Sequence, residues 1–167
     1  MTSSTISSIA GGPEHDPGTP GGVDLAAAEA AAAALMRALG MDPATSGLTE
    51  TPRRVARAFA ELLTPREFTM TTFANDEQYD ELVLAKDIPF TSLCEHHLLP
   101  FTGTASVGYL PGPRILGLSK LARVVELFSR RPQVQERMTK QIAGWLDTNL
   151  GPRGVGAGGA AAGCASR

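Results

Sequence analysis

Ser92–Leu110, SLCEHHLLPFTGTASVGYL, joins two kinds of sequence. In its second half Phe101, Ala105, Val107 and Tyr109 fall on one side of an extended chain, and Thr102, Thr104 and Ser106 on the other. Side chains of a strand alternate with a period of two, so this pattern predicts a half-buried β-strand. Upstream, Glu81–Phe90, ELVLAKDIPF, is a second strand candidate. Cys94, Glu95, His96 and His97 therefore fall on the connection between two strands.

Helices flank this pair. PGPR makes a turn, and LSKLARVVELFSRR follows with Leu121, Val124, Val125 and Phe128 on one stripe and Ser119 as its candidate cap. After Pro132 a second helix carries Val134, Met138, Ile142, Trp145 and Leu150 on its buried side. Toward the N-terminus, TPRRVARAFAELLTP reads as a helix capped by Thr51, with Pro52 in its first turn and Pro65 past its end. DLAAAEAAAAALMRALG reads as another, capped by Asp24 and ended by Gly40 in the left-handed conformation.

The expected organisation is a disordered Ser/Thr/Gly/Pro leader over 1–22, a helical segment over 23–65, a sheet domain over 66–155 and a Gly/Ala-rich tail over 156–167. Beyond Gly151 the alternation stops, and Val155 is the last β-branched residue. Two strands make a marginal sheet, so further strands are expected from a partner chain or from other sequence.

Composition excludes several classes. The 167 residues are 43% hydrophobic and 19% charged with net charge −2, which suits a soluble globular chain and gives no bulk attraction to nucleic acid or membrane. No apolar run approaches the roughly 18 to 20 residues of a membrane span, and the leader lacks an apolar signal core. A cytoplasmic location is expected. In that reducing setting the two cysteines, Cys94 and Cys164, are not expected to form a disulfide framework.

Cys94 and His97, three residues apart, can converge on one zinc ion from a tight turn. A catalytic zinc normally takes three protein ligands and water, so a third donor must come from elsewhere. His96 diverges from its neighbour on extended backbone and suits proton transfer beside the metal. The plainer reading is a buried cysteine with two loop histidines. Lys120 and Arg123, beside Ser119, put two cations in the first turns of a helix, where they oppose its dipole unless an anion such as phosphate offsets them; a solvated basic turn is the alternative. Gln135 and Glu136 can read a base edge, or simply cap the next helix.

SLCEHHLLPF, GLSKLAR and RRPQVQER in this order, followed by PRGV, resemble the GTP cyclohydrolase I family. The resemblance runs from about Asp42 to Val155 and takes in TPRRVARAFAELL and YDELVLAKDIPF. It implies an α+β tunnelling fold: an antiparallel sheet with two helices on one face, N-terminal helices, and here the last strand pair missing. It further implies a homo-oligomer, a decamer of two pentameric rings, with active sites between subunits.

The implied reaction is the hydrolytic opening of the GTP imidazole ring, giving formate and 7,8-dihydroneopterin triphosphate, the first step toward tetrahydrofolate and pterins. By resemblance Cys94 and His97 bind zinc, His96 is the acid or base, Ser119 handles the sugar, Gln135 and Glu136 hold guanine, and Lys120 and Arg123 face the triphosphate. Glu95 is a further substrate contact. Where the family continues into a His-x-Cys-Met strand that completes the zinc site, this chain reads GAGGAAAGCASR. Cys164 is near the expected position with no histidine before it, so it stands as a doubtful third ligand. A non-catalytic subunit or an inactive truncated fragment is the alternative function.

Overall fold

The computed structural model describes residues 22–162 and the backbone of Ser4–Ile6. The leader expected over 1–22 lies mostly outside them. The chain divides into two compact units, one ending at Thr64 and the other beginning at Pro65 and including Ser4–Ile6.

The first unit is a helix pair. In α1 (Leu25–Ala38) Asp24 accepts the Ala27 N–H at 2.9 Å, as expected of a cap. Gly40, just past its end, takes φ 81°, the left-handed conformation that glycine adopts without a Cβ penalty. α2 (Thr51–Leu63) corrects one expectation: Glu50 occupies the cap position and Thr51 is already helical. The reason is the preceding turn, which holds the Thr51 N–H on the Leu48 carbonyl at 2.9 Å and leads directly into the helix. Ala32 and Met36 of α1 and Pro52 and Ala56 of α2 are buried.

The second unit has two sheets. In the smaller, β1 (Ser4–Ile6), β2 (Met70–Ala74) and β5 (Arg114–Leu116) pair antiparallel in that order. The larger has the order β6-β3-β4-β7, built from β3 (Val83–Cys94), β4 (Pro100–Leu110), β6 (Pro132–Gln133) and β7 (Gly154–Ala162). α3 (Leu118–Ser129) and α4 (Gln135–Leu150) join its apolar side chains in one core. Leu121, Val124 and Val125 of α3 and Met138, Ile142 and Leu146 of α4 are fully buried there, with Val107 and Tyr109 of β4. The two sheets are tied by the buried Tyr109 hydroxyl, which accepts from the Leu116 N–H at 2.8 Å and donates to its carbonyl at 3.2 Å.

β3 changes parity midway. Val83 and Ala85 pack against the core, and after a bulge between Ala85 and Ile88 the inward residues become Ile88, Phe90 and Ser92. A single inserted residue moves every later side chain to the other face, and here it keeps both halves of the strand packed. Asp87, in the bulge at φ 55°, is among the residue types that tolerate this region best.

The expectation that strand structure stops after Gly151 is corrected. β7 pairs antiparallel with β4 along its whole length, from Leu110↔Gly154 to Thr102↔Ala162. A ladder needs only backbone N–H and C=O groups, so the poverty of side chains that hid this strand does not prevent it. Gly103 of β4 contributes to the close approach of the two strands, because a Cβ there would meet the Ala160 carbonyl oxygen. The expected antiparallel sheet is otherwise modified by β6, two residues that run parallel to the end of β3.

Glu126 of α3 is the electrostatic centre of the unit. Its largely buried carboxylate accepts two bonds of 2.7 Å from Arg66 and one of 3.1 Å from Arg123, and pairs with Arg130 at 3.3 Å. The Arg66 hydrogen bonds, outweighing partial burial, hold this carboxyl down at about 2. A depressed carboxyl stabilises the fold above its unfolded pKa, and the contribution is lost as pH falls through the folded value. Glu126→Gln should therefore destabilise the chain by about 1–2 kcal/mol at pH 7. In urea unfolding the gap should narrow between about pH 4.5 and 2; a gap that stays constant over that range would refute the assignment. Leu98, exposed in the β3–β4 connection, has φ 53°. Leu98→Ile should cost about 1–2 kcal/mol, because a β-branched residue is strained there, while Leu98→Gly should stay within about 0.5 kcal/mol. Equal effects in thermal unfolding would show that the backbone of this turn carries no strain.

Candidate active site

Cys94 ends β3 with its side chain in the core, and the chain turns through Glu95, His96 and His97 before β4 begins. The turn is closed twice: the Leu98 N–H donates to the Cys94 carbonyl and the Cys94 N–H to the Leu99 carbonyl, each at 2.8 Å. This brings the His97 ring back over the strand end, with Nδ1 3.4 Å from Cys94 Sγ. A zinc ion with bonds of about 2.3 Å to sulfur and 2.0 Å to nitrogen at a tetrahedral angle requires an S···N separation of about 3.5 Å. The pair present therefore fits two positions of one zinc ion. The His96 ring lies edge-on beside that of His97, with centroids 6.2 Å apart and planes at 72°.

Among the described residues no group of three or more His, Cys, Asp and Glu side chains could hold a metal. Glu95 does not complete one, because its carboxylate is engaged with Arg137 at 2.6 Å. The Arg137 hydrogen bond holds the Glu95 carboxyl below the usual carboxylate range. Cys164, the doubtful third ligand, lies outside the described residues.

The start of α4 reaches the same turn. Leu93↔Pro132 and Cys94↔Gln133 pair in parallel, and the Glu95 N–H donates to the Gln133 carbonyl at 3.1 Å. This places the first helical residues, Gln135 and Glu136, two and three residues after Gln133, the strand residue paired with Cys94. The Gln135 amide donates to the Gly159 carbonyl of β7 at 2.7 Å, and Glu136 is exposed. Two neighbours were not singled out from the sequence. Gln133 is 1% exposed, and its amide donates to the Phe128 carbonyl at 2.8 Å and to Gln141 Oε1 at 2.7 Å. Arg137 donates through Nε to Gln133 Oε1 at 3.1 Å and through Nη2 to the Pro132 carbonyl at 3.1 Å. Gln133 lies on β6, ahead of the helix that carries Arg137, so no helical spacing in the sequence links the two.

Ser119, Lys120 and Arg123 are not brought to this turn. They sit in the first turns of α3, whose other end meets it, and Lys120 and Ser129 are separated by on the order of 14 Å along the axis. Ser119 is not the cap: Gly117 occupies that position, and its carbonyl accepts the Lys120 N–H at 2.8 Å. Part of the charge expected to call for an anion is offset inside the helix, where Arg123 meets Glu126.

The motif-bearing region aligns with a known family. The family model for GTP cyclohydrolase I matches residues 28–165, including the Gly/Ala-rich segment. The GTP cyclohydrolase 1 of Mycolicibacterium vanbaalenii is 56% identical over 139 residues, covering 79% of this chain and 68% of that protein. The enzyme of the same name from Mycolicibacterium gilvum is 55% identical with the same coverage. That of Rhodopirellula baltica is 51% identical over 138 residues, covering 80% of this chain and 59% of its own length. With the match taking in the Cys94–His97 turn, the start of α3 and the start of α4 together, this chain belongs to the GTP cyclohydrolase I family.

Proposed function

We propose that the chain is a zinc-dependent GTP cyclohydrolase I, a hydrolase that opens the imidazole ring of GTP and releases formate on the way to 7,8-dihydroneopterin triphosphate. The observation that carries this is the 3.4 Å approach of Cys94 Sγ and His97 Nδ1 beside the first turn of α4. Cys94 and His97 would hold the ion, with the third donor supplied by Cys164 or by another chain. When bound, zinc supplies a water acidic enough to act as a nucleophile near neutral pH.

This chain's own groups do the rest. His96, exposed on the turn, carries protons to and from the purine ring nitrogens. Glu136 accepts from the N–H and amino groups of guanine. Gln135 presents an amide whose plane is set by its bond to Gly159. Lys120 and Arg123 bind the triphosphate and Ser119 the sugar. Because these three lie at the far end of α3 from the Cys94 turn, the full site takes the two clusters from different subunits, which supports a ring-forming homo-oligomer and, by family, a decamer. The pathway served is tetrahydrofolate or another pterin.

Purified chain should contain zinc and release formate from GTP. Cys94→Ser and His97→Ala should remove both. His96→Ala should retain zinc and lose about 10²- to 10⁴-fold in turnover. A cooperatively folded wild-type chain with neither zinc nor formate release would overturn the proposal in favour of a non-catalytic subunit.

A further inference from the structure

Arg137 stands at the junction of the two elements that form the half-site around Cys94. Its guanidinium reaches Glu95 Oε2 at 2.6 Å on the turn, Gln133 Oε1 at 3.1 Å on β6 and the Pro132 carbonyl at 3.1 Å. Gln133 is buried and its amide is committed at both ends, so it offers a fixed acceptor. Glu95 lies between Cys94 and His96 in the chain, and its own N–H is held by the Gln133 carbonyl at 3.1 Å. Glu95 is thus gripped by its side chain and by its backbone, both from the segment that starts α4.

We propose that Arg137 is a positioning residue that fixes the Cys94–Leu98 turn against the first turn of α4, and so sets the distance from the metal-binding pair to the guanine-binding residues. The inference rests on the function proposed above. A planar guanidinium with several donors in fixed directions can hold a carboxylate, an amide oxygen and a carbonyl at once; an ammonium is a point charge without that geometry. The energy of a partly exposed ion pair is small, so the effect expected is on local order and not on global stability. The segment that Arg137 orders carries both members of the metal pair, Cys94 and His97, and groups that orient metal ligands change affinity without touching the ion.

The test uses the full chain with Arg137→Met, Arg137→Lys and Glu95→Gln. Peptide-resolved amide hydrogen exchange without metal should show about tenfold faster exchange over 94–99 in Arg137→Met and unchanged exchange over 101–109. Zinc affinity, read by competition with a chelating dye, should fall about 10- to 100-fold in that variant, and Arg137→Lys should restore part of it. Glu95→Gln, which weakens only the grip on the turn, should reproduce the local exchange. Unchanged exchange over 94–99 in Arg137→Met or in Glu95→Gln would overturn the proposal. So would an increase spread evenly over β3, β4 and α4 and identical in the Lys and Met variants, since that marks a residue of the fold alone. Absence of zinc in the wild-type chain would defeat the proposed function, and the exchange data would still decide the tether.

Discussion

The two-residue parallel pairing of Pro132–Gln133 with Leu93–Cys94 is the contact on which the candidate site depends. α3 and α4 would pack on the sheet through their apolar stripes without it, because burial of Leu121, Val124, Met138 and Ile142 is not directional. What burial cannot set is where the start of α4 lies relative to the end of β3. That is set by hydrogen bonds: Ser92 Oγ to the Arg131 carbonyl at 3.2 Å, the Glu95 N–H to the Gln133 carbonyl, and the buried Gln133 amide. Buried polar networks of this kind are costly when half satisfied, which makes them strong determinants of a single arrangement.

The same division between burial and hydrogen bonding separates what was legible in the sequence from what was not. The alternation of Phe101, Ala105, Val107 and Tyr109 identified β4, and the stripes of α3 and α4 identified the helices, because each pattern is written in apolar side chains. The position of Cys94–His97 on the strand connection followed from those elements. β7 was invisible because its pairing is made by backbone alone, in residues that are almost all glycine and alanine. Gln133 was passed over because glutamine is ordinarily a surface residue, and its burial depends on partners, Phe128 and Gln141, that local spacing does not connect. Cap positions were misassigned at Thr51 and Ser119 for a related reason: a preceding turn or a backbone carbonyl can begin a helix where a hydroxyl was expected to do so.

Charge in this chain is local. With a net charge of −2, attraction to a polyanion has to come from clusters such as Lys120 and Arg123, and there Glu126 takes part of the field. Glu126 also gathers Arg66 from the segment before β2 and Arg130 from the end of α3. One carboxylate thus orders three guanidinium groups and holds them in fixed directions.

The bulge between Ala85 and Ile88 has a consequence for how this protein can vary over evolutionary time. In an uninterrupted strand, gain or loss of one residue is transmitted along its whole length and turns the core side chains outward. A strand that already holds one unpaired residue at its middle can take up such a change by gaining, losing or shifting that irregularity. The half that begins at Val83 is then insulated from the half that ends at Cys94. Changes in length near the entrance of β3 can accumulate among relatives while the spacing between the inward-facing Phe90 and the thiol of Cys94 stays the same.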